Sequence, residues 1–392
     1  MPEIYRDITL PYAVDNSTEE YFRAMFCQSG LDCGQAASVA IGYTYEVNRL
    51  RDIPSNTSEN LYTSYFPWNW ENGGNGWYGA SYYHSMEVLR KVGCPSIETY
   101  GGTIDYGGGK RWMSGYDSYY AAMHNRIRGA YSIKCDDEEG LNTLKHWIDN
   151  HCEGSDIGGV GFFYSQYQSP SNTLPAGTEE AGKHVITSWG ASPNHGMASC
   201  GYNDSVRWDY NGDGEYTNDE DITGDGQVDM RDWEIGALKM CNTYHSYPDY
   251  SWGDQGFAYM MYRGLALDEN EGGIWNNTVN VLKAKETYEP QLTMKVYCSH
   301  DTRNMVKITA GMTTDLGSDV PEIILDFPIF DYQGADWGMQ GEWFEIEFGL
   351  DLTPFLNYLE PGEEARFILQ VEENDPSGEG TGEIFTYSVV DY

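Results

Sequence analysis

Residues 28–38 read QSGLDCGQAAS: a glutamine, a cysteine at position 33, then a run of small residues. The following segment, Gly34–Leu50 (GQAASVAIGYTYEVNRL), places Ala36, Ala40, Tyr43, Val47 and Leu50 at helical spacing on one face. This spacing predicts a helix beginning at Cys33, with alanines where another element can approach closely. The first turn of a helix carries unpaired N–H groups and the positive end of the macrodipole, and both favour a thiolate. Free cysteines are also among the most buried and inert residues. Taken alone, the stretch leaves Cys33 readable as a nucleophile or as a core thiol.

Bulk properties narrow the classes of function. The chain has 392 residues, enough for two domains with sizeable cores. Lys and Arg number 23 against 61 Asp and Glu, a net charge of −38. Such a field repels nucleic acid and anionic membrane surfaces and favours bound cations. No apolar run approaches bilayer length, so no membrane span is expected. The N-terminal MPEIYRDITLPY lacks the charged-then-apolar pattern of a leader. With 45 Gly, 32 Tyr and 12 Trp, the composition suits a secreted or cell-surface bacterial hydrolase whose leader has been removed. The eight cysteines are dilute and show no CxxC pair, which leaves the redox compartment open.

Three further segments bear on Cys33. Asn194–Asp204 (NHGMASCGYND) carries His195 followed by small and apolar residues and then Gly-Tyr. Ala237–Arg263 is an apolar strand ending at Asn242 and continuing into Trp252-Gly253-Asp254-Gln255-Gly256-Phe257. Glu71–Ser81 (ENGGNGWYGAS) is a glycine loop leading into the helical SYYHSMEVLRKVG. A cysteine, a histidine and an asparagine far apart in sequence form the order expected of a thiol peptidase. His184, in GKHVITSWG, lacks the small-residue and Gly-Tyr context and reads as an ordinary strand or loop residue.

With these motifs in order, residues 12–265 resemble the papain-like cysteine peptidases. The resemblance implies a two-lobed catalytic domain, a helical lobe plus a β-barrel-like lobe, with a Cys33–His195–Asn242 triad. It implies that the Gln28 side chain and the Cys33 N–H stabilise the oxyanion, and that Asn72, Gly73 and Gly74 bind an extended peptide substrate. The sequence departs from the family pattern in places. Gln28 precedes Cys33 by five positions rather than six, which brings Gly34 into the sixth, and no Trp follows the cysteine. A loop at Ser29-Gly30-Leu31, with Gly30 free to adopt unusual backbone angles, is expected to absorb the offset. Asn242 is followed by Thr-Tyr rather than Ser-Trp.

Between His195 and Asn242 lies DYNGDGEYTNDEDITGDGQVDMRD, Asp209–Asp232. Asp209, Asn211, Asp213, Gly214, Glu215 and Glu220 match positions 1, 3, 5, 6, 7 and 12 of a calcium loop. Asp221, Thr223, Asp225, Gly226, Gln227, Asp229 and Asp232 repeat the register at 1, 3, 5, 6, 7, 9 and 12. Nine acids against Arg231 alone would repel one another without a cation, so bound Ca2+ is expected. No helix separates the two loops, and this favours a rigid insertion over a dockerin-like scaffold module.

From Leu292 the texture changes. LTMKVYC, MVKITAG, EIILDF, EWFEIEFG, ARFILQVEE and IFTYSVVDY are six alternating or β-branched runs separated by turn residues. They predict an all-β sandwich or jelly roll. The fold class expected is therefore α+β: a catalytic domain over 1–267 with the 209–232 insertion, a linker over 268–291, and an independently folding sandwich over 292–392. The function expected is a calcium-stabilised, thiol-dependent endopeptidase acting on a peptide or protein substrate. Its C-terminal domain is available for a cell-surface or scaffold contact. The alternative is a catalytically inactive relative that binds peptides or serves a cell surface. Acyl transfer on glutamine, in the manner of transglutaminases, also uses a thiol and a histidine, with an acidic partner, and the Asn242 context argues against it.

Overall fold

The helix expected from Cys33 forms as three consecutive pieces: an α-turn at Cys33–Gln35, a π-helical stretch at Ala36–Tyr43 and an α-helix at Thr44–Arg51. The spacing predicted one buried face, yet every residue of Ala36–Tyr43 is buried. A helix apolar all round belongs in a core, and the π widening shifts the register within it. Gly42 allows close packing, since a Cβ there would meet Phe162 at 3.5 Å and the Ala37 carbonyl at 3.3 Å. The helix ends at Asp52, in the left-handed conformation (φ 53°), with Arg49 and Arg51 in the last turn where the dipole favours cations.

The structure, a computed structural model, describes residues 9–102, 109–244 and 252–392. The leader reading of residues 1–8 and the residues 245–251 of the Ala237–Arg263 segment lie outside these. Among the described residues no helix is long and apolar enough to cross a membrane. The chain separates into two compact units, each assembled from distant segments: Met1–Gln28, Ala36–Asn56 and Ala130–Lys283 in the first, Ser29–Gln35, Thr57–Gly129 and Ala284–Tyr392 in the second.

A nine-stranded sheet organises the first unit. Its strands in chain order are β1 (Ala13–Asp15), β2 (Ile127–Lys134), β3 (Gly161–Ser165), β4 (Asn172–Thr173), β5 (His184–Ile186), β6 (His195–Arg207), β7 (Ile235–Cys241), β8 (Phe257–Met261) and β9 (Thr278–Ala284). The order across the sheet is β2-β9-β3-β6-β7-β8-β5-β4, with β1 also paired to β6. Strand β6 is long and bulged, shifting register against β7 between Ser199 and Gly201 and again between Asn203 and Arg207. Helix Glu138–Asn150, capped by the Asp137 side chain on Gly140 N–H, contributes Leu141, Leu144, Trp147 and Ile148 to the core with Phe163, Met197, Leu238 and Met240.

Where the sequence reading places a linker, residues 268–291, the chain contains β9, a strand of this sheet in which Val279, Val281 and Leu282 are buried. Thr278, Val279 and Val281 are β-branched, and three such residues in a short run are a strand signal. The neighbouring Gly and Asn residues had masked it.

All six C-terminal runs are strands of the second unit: β10 (Leu292–His300), β11 (Val306–Thr313), β12 (Ile323–Asp331), β13 (Glu345–Asp351), β14 (Arg366–Glu373) and β15 (Gly382–Asp391). They form two three-stranded sheets, β13-β10-β15 and β12-β11-β14. Met294 and Val296 of β10 and Ile308 and Ala310 of β11 share one core. That core also contains Phe66, Trp70, Trp112, Tyr119 and Met123, from helices Tyr65–Glu71 and Tyr116–Met123 and the loop between. Trp70 lies 3.6 Å from Trp112 and 5.1 Å from Phe330, and Tyr119 packs on Phe348 at 6.2 Å (ring centroids). Buried Arg126 pairs with Asp351 at 2.8 Å.

The expectation that the sandwich folds by itself is therefore corrected: its inner faces are covered in part by residues 57–129. Trp70→Ala should cost about 3–5 kcal/mol, the range for deleting a buried aromatic. It should also raise amide exchange in β11 and β13. Urea denaturation with hydrogen exchange tests this, and unchanged protection of those strands would show that the helices are dispensable to the sandwich.

Candidate active site

His195 opens β6 and Asn242 follows the last residue of β7. The antiparallel register, Ala198 opposite Cys241, brings these two strand ends together. The Asn242 carboxamide Oδ1 lies 2.8 Å from His195 Nε2. Since Oδ1 can only accept, this bond places a proton on Nε2 and leaves Nδ1 as the basic nitrogen of a neutral ring. Asn242 is itself fixed: its N–H donates to Gly256 O at 2.9 Å, and its Oδ1 also accepts from Tyr244 N–H at 3.0 Å. Tyr167 and Tyr244 stand against the imidazole, with ring centroids at 5.2 and 5.8 Å. Burial pushes the His195 pKa from its ordinary 6.5 down to about 4, and the Asn242 hydrogen bond opposes this only in part.

Gln28 belongs to the same unit. Its N–H donates to Thr243 O at 2.9 Å, and Thr243 Oγ1 donates to Gln28 Oε1 at 2.8 Å. Thr243 thus orients the carboxamide, turning its NH2 end away from the threonine, and NH2 is the end able to donate to an oxyanion. The sequence reading registered Thr243 only as a departure from the family pattern. Its hydroxyl, one residue past Asn242, was the available signal.

Cys33 stands in the second unit as the first residue of its helix, half-buried. Among the described residues no cysteine forms a disulfide. Asp32, just before it, is buried and accepts from Ser64 Oγ at 2.6 Å. Desolvation raises its pKa to about 6, while that hydrogen bond lowers it. Gly30 serves space rather than backbone angle: a Cβ there would sit 2.3 Å from the Trp68 ring. Of the glycine loop, Gly73 and Gly74 both adopt positive φ, 63° and 68°. Asn72 pins the turn, accepting from Gly74 N–H at 2.8 Å and donating to Gly109 O at 2.7 Å. Gly74 is a packing glycine, since a Cβ would lie 2.4 Å from Trp337, whereas at Gly73 the nearest atom is a Tyr78 ring carbon at 3.8 Å. His184 is held by Asp254 at 3.0 Å as a strand histidine.

The two expected calcium loops fold alike. Asp209 accepts from the N–H groups of Gly212 and Gly214, and Asp221 from those of Gly224, Asp225 and Gly226. Asn211 and Asp213 accept from residues two further on, as does Asp225 from Gln227. Asp232 closes the second loop, accepting from Thr223 N–H at 2.7 Å and Asp229 N–H at 3.0 Å. The carboxylate closing the first is Glu234, buried, which accepts from Tyr210 N–H at 2.6 Å and Thr217 N–H at 3.2 Å. Glu220 and Glu215 are exposed. Glu234 lies beyond the twelve-residue window and was not legible as a partner. The donors are hard oxygen ligands of the type calcium takes. Among the described residues, though, no three His, Cys, Asp or Glu side chains converge on one point.

These elements define an α+β protein with a His–Asn pair and an oriented carboxamide on one unit, and a helix-leading cysteine on the other. No family model and no curated protein matches the chain. Solved structures similar to it include proteases. Xylellain from Xylella fastidiosa is 16% identical, covering 70% of this chain and 87% of that one, with a TM-score of 0.43. Bromelain from Ananas comosus, solved with the E64 inhibitor, is 11% identical over 70% and 99%, TM-score 0.41. The cysteine protease and lectin-like domains of Cwp84, a surface layer associated protein of Clostridium difficile, are 11% identical over 96% and 79%, TM-score 0.41.

The His195 environment sets a pH dependence. Between pH 6.5 and about 4 the unfolded ring binds a proton that the native ring refuses, so stability falls as pH falls through that window and is unaffected above it. The contribution reaches about 3 kcal/mol at its acid end. Urea titrations across the window should give a shallower pH slope for His195→Gln than for the parent, and equal slopes would refute the burial argument.

Proposed function

We propose that this chain is a papain-like thiol peptidase in which Cys33 is the nucleophile and His195 the general base. The hydrogen bond from His195 Nε2 to Asn242 Oδ1 at 2.8 Å is the observation that carries this reading, since it leaves Nδ1 to take the thiol proton. In the reaction the Cys33 thiolate attacks a peptide carbonyl, forming a C–S bond and an oxyanion. The Gln28 NH2, aimed by Thr243, and the Cys33 backbone N–H donate to that oxyanion. His195, now imidazolium, returns its proton to the leaving amine as the C–N bond breaks, and water then hydrolyses the thioester. Asn242 keeps the ring in the productive tautomer throughout. Asn72 and Gly73 offer backbone groups to an extended substrate, with Gly73 as the open position.

Cys33→Ala should abolish both hydrolysis of a fluorogenic peptide and rapid alkylation by iodoacetamide near neutral pH. A variant that still cleaves would overturn the assignment. A parent protein that binds peptides but neither cleaves nor alkylates would favour the inactive-relative reading, in which Gly34 stands at the family's sixth position after Gln28.

We also propose that Asp209–Asp232 binds Ca2+ and that the ion stabilises the first unit. Asp209, Asn211, Asp213 and Glu234 would hold one ion, and Asp221, Thr223, Asp225 and Asp232 the other. Support comes from the doubled spacing and from nine acids facing a single arginine, which pairs with Asp225 and Asp229 at 2.6 Å each. An ion bound only by the native state adds stability by mass action. Melting in calcium should lie several degrees above melting in chelator, and Glu234→Gln should reduce that difference. An unchanged midpoint would refute the proposal. From composition and charge, we place the protein outside the cytosol or at the cell surface.

A further inference from the structure

In a closed sandwich the inward-facing residues of every strand are covered. In β10 and β11 they are, as Met294, Val296, Ile308 and Ala310 are buried. Register identifies their partners on the flanking strands. Val389 is opposite Met294, Tyr387 opposite Val296 and Ile384 opposite Cys298 on β15, while Val371 is opposite Ile308 on β14. These four therefore lie on the inner faces of their sheets, yet they are 38%, 53%, 46% and 39% exposed, respectively. Both β14 and β15 are edge strands. Among the described residues the sandwich is thus open along one side, where β14 and β15 flank a cavity of about 320 Å³. Val306, Ile308, Cys298 and Met339 line its inner part, and Val371 and Ile384 its mouth. His300 closes one end, its Nε2 2.9 Å from Glu373 across the two sheets.

An unpaired strand edge beside uncovered apolar side chains is a site for adding a strand. Charge decides the occupant. The segment from β14 to β15 carries Glu372, Glu373, Asp375, Glu379, Glu383 and Asp391. Its one cation, Arg366, is paired with Asp319 at 2.5 Å. A second copy of this chain would set these carboxylates against one another, whereas a basic strand would neutralise them. We propose that the open side of the sandwich binds an extended peptide segment of a partner protein in which apolar residues alternate with Lys or Arg. The segment pairs with the free edge of β15. Its apolar residues fill the gap between the sheets, and its basic residues meet the acidic rim. The period of two along a strand supplies this division of faces.

The test uses the full chain carrying Cys33→Ala, so that peptide is not consumed, and a fluorescent peptide of about eight residues alternating Val and Lys. The peptide is expected to bind, more weakly at about 200 mM than at about 20 mM salt. Ile384→Asp should weaken binding by about tenfold or more without changing the melting curve, because Ile384 is exposed. A Val/Glu peptide, and a Val/Lys peptide N-methylated on alternate residues to remove strand-pairing donors, should not bind. Equal binding by the parent and Ile384→Asp would overturn the proposal, as would equal binding of the N-methylated peptide. Sedimentation showing a dimer that Ile384→Asp dissociates, with no peptide bound, would assign the surface to a second copy and refute it as well.

Discussion

The register between β6 and β7 is the constraint on which the candidate chemistry depends. Ala198 opposite Cys241 sets the strand ends so that a histidine at the start of one and an asparagine just past the end of the other share a hydrogen bond. Side chains alternate faces along a strand, so a slip of one residue would carry Met197, Leu238 and Met240 out of the core. The hydrophobic core thus enforces a polar geometry that could not hold itself. One hydrogen bond contributes only about 1 kcal/mol net, while the apolar residues that fix this register are many and fully buried.

Burial of His195 then has two consequences that pull apart. It keeps the imidazole neutral and able to accept a proton, which a general base requires. It also disfavours the imidazolium that must follow, a cost that in the proposed reading the Cys33 thiolate offsets. Asn242 moderates the second effect by accepting the Nε2 proton in both states of the ring. Tyr167 and Tyr244 exclude water from that bond, and removal of water strengthens it.

Much of this was legible in the sequence, wherever the signal is local. The six C-terminal runs became β10–β15 because alternation reports a half-buried strand directly. The helix from Cys33 was readable from its spacing, although its all-round burial was not, since alanine and glycine suit a packed interface as well as an exposed face. Gln28, His195 and Asn242 were singled out from motif order, and the structure brings them together within one unit. Features that depend on distant partners stayed hidden. Nothing near Glu234 announces that it closes a loop beginning at Asp209, and nothing near Thr243 announces Gln28. Gly30 was credited with conformational freedom when the constraint on it is the Trp68 ring, more than thirty residues away.

The division of the chain was the hardest feature to read, for a general reason. A texture change along a sequence marks where secondary structure changes type, and a domain is defined by which apolar faces cover one another. Residues 57–129 are helical and aromatic while 292–392 are strands, yet Trp70, Tyr119, Phe330 and Phe348 belong to one core. Six short strands in two sheets leave more inner-face area than they cover themselves. On one side the deficit is met by helices from earlier in the chain. On the other, along β14 and β15, the inner faces are uncovered among the described residues. A sandwich built this way is both a partner in the folding of the segment before it and a surface with an unsatisfied side.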